Sequence, residues 1–251
     1  MTKLGRFLFA IAIAAFGIEY LIYGRFVPGL PPAPPWTPGA PVLAYLIGVA
    51  LTVAGLGIAT NVRARLCAAV VGVLFFLCVF LLHGLRAEAI LLNPVARTGA
   101  FESLAFGSAA FISAALLPSE RSSPAGWEIA IDRLALASRY LFAFSMIVFG
   151  IQHYRAIDFI ASLVPAWLPG HVFWAYLTGT GFIAAGIAIA INVRARLGAT
   201  LLGVMFLLWV LLLHLPRSVA AWSNGAEWTS LFVALGLSGG AWIVAGYCGE
   251  R

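Results

Sequence analysis

The pentapeptide Asn61-Val62-Arg63-Ala64-Arg65 occurs a second time as Asn192-Val193-Arg194-Ala195-Arg196. Each copy interrupts a long apolar stretch, and residues on both sides of it recur 131 positions later. The recurring pairs are Tyr45 and Tyr176, Gly48 and Gly179, Gly55 and Gly186, Gly72 and Gly203, His83 and His214, and Arg86 and Arg217. A period of this length indicates a duplicated domain and not a solenoid repeat. The sequence therefore predicts two related halves, in each of which NVRAR is a short cationic loop between two membrane-spanning helices.

The composition is typical of a membrane protein that crosses the bilayer several times. Of the 251 residues, 63% are hydrophobic and 10% are charged, and the mean hydropathy is +1.01. No soluble domain needs so much apolar surface. The formal net charge of +6 comes from basic residues spread singly between apolar runs, which indicates topology signals and not a nucleic-acid partner. The three cysteines lack CxxC spacing, which favours a packing role.

Hydropathy predicts eight transmembrane helices near the roughly 20 residues that a bilayer core requires, with the first and fifth short. They are 7–23, 41–60, 66–85, 100–117, 140–154, 173–191, 197–215 and 228–247. With the N-terminus in the cytoplasm, ten basic residues lie inside: Lys3, Arg6, Arg63, Arg65, Arg121, Arg133, Arg139, Arg194, Arg196 and Arg251. Five lie outside: Arg25, Arg86, Arg97, Arg155 and Arg217. This bias predicts a multi-pass protein with both termini cytoplasmic. We expect its location to be a bacterial or archaeal plasma (inner) membrane.

An even number of spans per half makes the two halves parallel, related by a pseudo-twofold axis along the membrane normal. The predicted fold is therefore an all-α integral membrane protein of two parallel-repeat four-helix bundles. Residues 1–117 form the first unit, 118–126 form a cytoplasmic linker, and 127–251 form the second unit. A short helix at the start of the second unit either lies on the inner membrane surface or extends the fifth span into the cytoplasm.

The first outer loop of each half is rich in proline and tryptophan, at 27–39 and at 163–171. Proline stiffens such a loop without needing a hydrogen-bond partner, and tryptophan favours the headgroup level of the membrane. Two interpretations stay open for these loops: an interfacial anchor, or a lid over a lateral opening between helices.

A set of motifs repeated in both halves resembles the DoxX-like membrane proteins, which are normally four spans long. The motifs are Phe-Gly-Ile (16–18 and 149–151), a loop ending Pro-x-Trp-x-Pro-Gly, the Asn-x-x-Ala-Arg turn, and a third span that closes in histidine. The resemblance covers nearly the whole chain, once in each half. It implies the four-helix unit and protein partner subunits, because some relatives are small membrane subunits of quinol oxidase or thiosulfate:quinone oxidoreductase systems. Many other relatives have no settled role.

A polar pair occurs at the same depth of the first span of each half, Glu19-Tyr20 in one and Gln152-His153 in the other. Ionisable groups inside a bilayer are costly and usually face the bundle interior, so they are candidates for a functional site. The alternative is that each pair only forms hydrogen bonds between helices.

A second group of candidates closes the third and seventh spans on the outer side: His83 with Arg86, and His214 with Arg217. Three residues separate histidine and arginine in each copy, so they share nearly one helical face. Glu102 and Glu227 begin the fourth and eighth spans on the same side, where a carboxylate suits the positive end of a helix. We therefore expect the working face to be extracytoplasmic.

The chemistry that these eight candidate binding residues favour is quinone association, because histidine, tyrosine and glutamate near a lipid-accessible interface supply hydrogen bonds and a proton route. A b-type haem is disfavoured, since His153 lies about one turn deeper than His214. No zinc-binding, flavin, NAD or iron–sulfur motif is present, so electrons would come from a partner. We assign no catalytic residue and no metal. The alternatives are a non-catalytic membrane anchor or scaffold subunit of a larger complex, and a small-solute transporter.

Overall fold

The computed structural model describes residues 1–25, 39–119 and 126–249, without the side chains of Leu82 and Arg86. The prolines and Trp36 of the first predicted outer loop, and residues 120–125 of the predicted linker, lie outside the described residues. Within the described ranges, all regular secondary structure is helical. The protein is therefore of the all-α class.

The described residues form eleven α-helices with two π-helices between them. The α-helices are α1 (Thr2–Tyr23), α2 (Ala40–Thr60), α3 (Ala64–Cys78), α4 (Ala87–Leu92), α5 (Pro94–Ala115), α6 (Gly126–Arg155), α7 (Ile157–Leu163), α8 (His171–Ile191), α9 (Ala195–Trp209), α10 (Leu215–Ala220) and α11 (Gly225–Gly249). The π-helices are π1 (Val79–His83) after α3 and π2 (Val210–His214) after α9, and a 3-10 turn covers Gly84–Arg86. The bounds of α2, α3 and π1 recur as those of α8, α9 and π2 after 131 residues.

Seven helical segments of the described chain are long and apolar enough to cross a membrane, which makes this a multi-pass membrane protein. They are Thr2–Tyr23, Ala40–Thr60, Ala64–Leu81, Gly126–Arg155, His171–Ile191, Ala195–Ala220 and Gly225–Gly249. The predicted fourth span, 100–117, falls on α5, which has 22 residues but is less apolar than the seven. Most of α5 is buried among other helices, including Ser103, Ser108 and Ser113. A helix that does not face lipid does not need a fully apolar surface.

Each NVRAR copy forms a tight turn between two antiparallel helices. Asn61 and Asn192 end α2 and α8 in the left-handed backbone region, with φ of 60° and 59°. Arg63 and Arg194 precede α3 and α9 with φ of 46° and 50°. Asparagine tolerates this region better than most residues and commonly ends helices there. The two copies therefore share one backbone geometry.

The last long helix of each half packs against the first long helix of the other half. Thus α11 contacts α1, and α5 contacts α6. The two last long helices, α5 and α11, also contact each other. Within each half, the first long helix packs on the second, as α1 does on α2 and α6 on α8. Glycines permit the close contact of α1 with α2, since a Cβ at Gly55 would lie 2.8 Å from the carbonyl oxygen of Ala10 and one at Gly48 would lie 3.0 Å from that of Gly17.

Arg65, the last residue of the first NVRAR copy, ties three helices together at the junction of the halves. Its Nη1 donates to the carbonyl oxygen of Leu117 at 2.7 Å, and its Nη2 donates to Asp132 Oδ1 at 2.8 Å. Its Nε lies 3.5 Å from Glu128 Oε1. Both carboxylates belong to α6, which is one continuous helix of 30 residues from Gly126 to Arg155. The helix that begins at Gly126 is therefore continuous with the predicted fifth span.

Candidate functional site

A cavity of about 540 Å³ lies at one end of the hairpin formed by α8 and α9. Its wall is formed by the end of α6, by α7 and the following loop, by the first turns of α8, and by the later turns of α9 with π2. The lining residues are His153, Ile160, Leu163, Val164, Pro165, Trp167, Leu168, Trp174, Ala175, Leu177, Thr178, Leu201, Val204, Met205, Leu208, Trp209, Leu212, Leu213 and His214. We call it the α8–α9 cavity. Most of this wall is aliphatic or aromatic, and two imidazoles lie in it.

The position of the cavity follows from the shape of the hairpin. Near the Asn192 turn the helices are in close contact, since a Cβ at Gly198 would lie 3.3 Å from Ala188 Cβ. The residues of α8 that line the cavity, Trp174 to Thr178, come from the opposite end of that helix. The hairpin is therefore closed at its turn and open at the far end, and the α8–α9 cavity fills the opening.

The cavity borders the outer surface of the helices. Leu177 of α8 and Leu201 and Leu208 of α9 line it and are also exposed on the protein surface. Exposed leucines on membrane-spanning helices face lipid. The cavity therefore extends to the apolar outer surface of α8 and α9.

The second-half loop, predicted at 163–171, forms another part of the wall. Leu163, Val164, Pro165, Trp167 and Leu168 all line the cavity. The indole N–H of Trp174 donates to the carbonyl oxygen of Pro169 at 3.0 Å, which fixes the loop to α8. This loop therefore covers the opening between helices, while the exposed Trp167 also lies on the surface.

His153 is the most buried of the polar residues His153, Trp174, Thr178 and His214 in the wall. It is buried, and its Nδ1 lies 2.8 Å from the carbonyl oxygen of Phe149, one turn earlier in α6. Because a carbonyl oxygen only accepts, Nδ1 carries the proton of this bond. In the neutral ring, Nε2 is then a hydrogen-bond acceptor.

Aromatic side chains hold the His153 ring in place. Its centroid lies 5.8 Å from that of Trp209 with an interplanar angle of 16°, and 5.1 Å from that of Phe182. Gly179 of α8 lets α6 approach closely at this point, since a Cβ there would lie 2.9 Å from His153 Cβ. Stacking and helix packing together restrict the orientation of the imidazole.

His214 enters the wall from the end of π2. π-helices are rare and frequently mark functional sites, and this protein has one at the same repeat position in each half. The Nδ1 of His214 is buried and has no hydrogen-bond partner among the described residues. A proton on Nδ1 would be a buried N–H group without an acceptor. The neutral ring therefore carries its proton on Nε2, which makes Nε2 a hydrogen-bond donor.

The other candidates from the sequence lie apart from this cavity. Glu19 is buried, and its Oε2 accepts a 2.9 Å hydrogen bond from Thr229 of α11. Tyr20 is also buried in α1. Gln152 precedes His153, but its Nε2 donates to Thr98 of α5 at 2.7 Å. Of the two predicted polar pairs, His153 thus lines the cavity and Glu19 and Gln152 make interhelical contacts.

Of the described side chains predicted at the ends of the third and seventh spans, His214 lines the cavity and His83 and Arg217 do not. His83 is buried at the end of π1, where its Cε1 lies 3.8 Å from the Cβ position of Gly99 on α5. The side chain of Arg86 lies outside the described residues. Arg217 pairs with Glu227 at 2.8 Å, so this arginine is tied to the start of α11.

Sequence reasoning missed Met205, Trp209 and Thr178 as wall residues. Met205 and Trp209 are four residues apart on one face of α9, a spacing that was visible in the sequence. At the repeat positions of His153 and Trp209, the first half has Tyr20 and Cys78. The histidine–tryptophan stack therefore belongs to the second half.

Among the residues that the structure describes, no group of three histidine, cysteine, aspartate or glutamate side chains is placed to hold a metal ion. The α8–α9 cavity has the chemistry of a site for an apolar molecule with few polar atoms. No family model, curated protein or solved structure matches the chain in the three comparisons with known proteins.

Proposed function

We propose that the protein binds a membrane-borne molecule of the quinone class in the α8–α9 cavity. The observation that supports this most strongly is the presence of two imidazoles, His153 and His214, in a mostly apolar wall. Small-molecule sites are commonly concave, mostly apolar and about 300–1,000 Å³ in volume, with a few polar groups that fix orientation. The volume of about 540 Å³ is within that range.

The chemistry of a quinone matches this wall in three ways. Its flat ring packs well against aromatic and thioether side chains such as Trp209 and Met205. The two ring oxygens of the quinone–hydroquinone couple are the polar atoms to be matched, and the two imidazoles supply one hydrogen-bond acceptor and one donor for them. Its apolar tail has an exit to lipid past Leu201 and Leu208, which line the cavity and are exposed.

We propose further that electrons reach such a quinone from a partner protein, as a subunit of a membrane redox complex. The sequence has no flavin, dinucleotide or iron–sulfur motif of its own. The resemblance to the DoxX-like proteins supports this assignment, and membership of that family is part of the proposal.

The membrane arrangement that we propose has eight spans in two parallel halves, with both termini cytoplasmic and the cavity toward the outer leaflet. Three observations support it. α5 is long enough to cross a bilayer at about 1.5 Å per residue. Helix bounds recur after 131 residues, and basic residues are more frequent on the side of the NVRAR turns.

An equilibrium-binding measurement on the purified protein in lipid nanodiscs, with an alkyl-substituted quinone and hydroquinone, tests the binding proposal. Val204→Trp places a large ring at the cavity wall without removing a polar group. We expect it to weaken binding of the tighter ligand by about tenfold or more, because it fills the space that the ring occupies. Val73→Trp is the matched control, since Val73 is the repeat equivalent of Val204 and is also exposed.

A second pair of variants tests the histidines. His153→Ala should weaken binding, whereas His171→Ala removes a histidine that does not line the cavity and should leave binding unchanged. Absence of binding to the wild-type protein, or equal effects of Val204→Trp and Val73→Trp, would contradict the proposal and favour a scaffold role.

A further inference from the structure

We propose that the α8–α9 cavity selects the reduced, hydroquinone form of its ligand over the oxidised quinone. The proposal rests on the proposed function, and it concerns which redox form the site recognises. The geometry behind it is the complementary hydrogen bonding of the two imidazoles: His153 offers an acceptor and His214 offers a donor.

The acceptor role of His153 follows from its internal hydrogen bond. Nδ1 donates to the carbonyl oxygen of Phe149 at 2.8 Å, so the lone pair of the neutral ring is at Nε2. The stacked Trp209 ring, with its centroid 5.8 Å away, and the tight contact at Gly179 oppose a ring flip. The polar edge that His153 presents to a ligand is therefore an acceptor.

The donor role of His214 follows from the absence of such an internal hydrogen bond at its Nδ1. Its Nδ1 is buried without a hydrogen-bond partner among the described residues, so the proton is better placed on Nε2. The two imidazoles are consequently not equivalent, although both line one cavity.

Two further polar groups of the wall are already engaged as donors within the chain. The Trp174 indole N–H donates to the carbonyl oxygen of Pro169 at 3.0 Å. The Thr178 hydroxyl donates to the carbonyl oxygen of Trp174 at 2.9 Å. A carbonyl group of a ligand gains no hydrogen bond from either of these protons.

A hydroquinone suits this arrangement because each of its two hydroxyl groups both donates and accepts. One hydroxyl donates to His153 Nε2, and the other accepts from the N–H of His214. A quinone has two carbonyl oxygens, which only accept, so one of them faces the His153 lone pair without a hydrogen bond. Leaving a buried polar group unmatched is unfavourable, and we expect hydroquinone to bind about tenfold tighter, which corresponds to about 1.4 kcal/mol.

The test uses three matched ligands with the same alkyl tail: the hydroquinone kept reduced under anaerobic conditions, its dimethyl ether, and the quinone. Dissociation constants are measured on the wild-type protein in nanodiscs. The expected order has hydroquinone tightest, with the ether and the quinone each weaker by about tenfold. The quinone lacks the two donors without added bulk, and the ether lacks them with two added methyl groups, so weaker binding of both ligands points to the donors and not to shape.

Two variants of His153 test whether this residue causes the preference for hydroquinone. His153→Asn keeps a donor near the Nδ1 position and loses the Nε2 acceptor, so the ratio of quinone to hydroquinone dissociation constants should fall to about one. His153→Gln keeps an acceptor oxygen near Nε2 and should retain most of the hydroquinone affinity. The ligand series on the wild-type protein remains informative if either variant fails to fold.

The outcomes separate this inference from the proposed function. If no ligand binds the wild-type protein, both fail. If the ligands bind and the quinone or the ether binds as tightly as the hydroquinone, the site stands and the selectivity is overturned. A preference for hydroquinone that persists unchanged in His153→Asn overturns the role given to His153.

Discussion

Thr229 Oγ1 donates a 2.9 Å hydrogen bond to Glu19 Oε2, although the two residues are 210 positions apart in the chain. Both side chains are buried, and they join α11 to α1. A similar bond, from Gln152 Nε2 to Thr98 Oγ1 at 2.7 Å, joins α6 to α5. In each case the first long helix of one half is tied to the last long helix of the other.

Thr229→Val should destabilise the protein, because it leaves a buried carboxyl group without its hydrogen bond. The other oxygen, Glu19 Oε1, has no hydrogen-bond partner among the described residues. The bond from Thr229 is therefore the one side-chain hydrogen bond that the described residues give this carboxyl group. We expect the free energy of unfolding to fall by about 1–2 kcal/mol in detergent titrations. Ser230→Ala is the control, since Ser230 is exposed and bonds to its own helix.

The double variant Glu19→Met with Thr229→Val distinguishes this bond from general packing. Replacing both partners by apolar groups removes the unsatisfied carboxyl, so much of the lost stability should return. Additive losses in the double variant would show that the hydrogen bond does not couple the two helices.

Gly179→Ala should lower both stability and ligand affinity, whereas Gly181→Ala should leave them nearly unchanged. A Cβ at Gly179 would lie 2.9 Å from His153 Cβ, so α6 and α8 must move apart and displace the imidazole. A Cβ at Gly181 would lie 3.6 Å from Met205 Sδ, an ordinary contact. We expect a loss of about 1–3 kcal/mol in the first variant only, and equal effects of the two would argue against close packing at His153.

Arg65→Met should weaken the junction between the halves. The Arg65 side chain is only 10% exposed and the Glu128 side chain 3% exposed, so the substitution removes the cation from a largely buried ion pair. Loss of one partner from a buried ion pair costs about 3–5 kcal/mol. Arg63→Met in the same turn is the control, since Arg63 is exposed. Equal melting temperatures of the two variants would contradict this account.

The sequence predicted the two NVRAR hairpins more accurately than it predicted the start of α5. The NVRAR motif places both turns, because asparagine and the break in hydropathy are local signals, and α2 and α8 begin and end within two residues of the predicted spans. The fourth predicted span began at 100, but α5 begins at Pro94. Asn93 caps it by accepting from the backbone N–H of Val95 and Ala96, a polar start that hydropathy does not detect.

Part of the candidate site was also visible in the sequence. His153 and His214 stand out as polar groups in apolar spans, and both line the cavity. The separation of Gln152 from His153 was not predictable, because adjacent residues of a helix point about 100° apart and the facing helices decide which one lines a space. The cavity itself depends on how far α8 and α9 diverge, which is a property of tertiary packing.

Cysteine labelling tests the membrane orientation. A cysteine placed at Val62 or Val193, both exposed in the NVRAR turns, should resist a membrane-impermeant thiol reagent in intact cells and react after permeabilisation, because the basic turns are expected inside. A cysteine at the exposed Trp222, near the opposite ends of the helices, should react in intact cells and is the control. The reverse pattern would contradict the proposed orientation.

The central claim is that a quinone-class molecule occupies the α8–α9 cavity, and photoaffinity mapping tests it most directly. The protein in nanodiscs is irradiated with a photoreactive alkyl hydroquinone, and the adducts are located by mass spectrometry of its peptides. The account predicts adducts in peptides that contain the cavity wall, residues 160–178 and 201–214, and their loss in the presence of excess unlabelled hydroquinone. Adducts spread over the lipid-facing surface of both halves, undiminished by competitor, would contradict it.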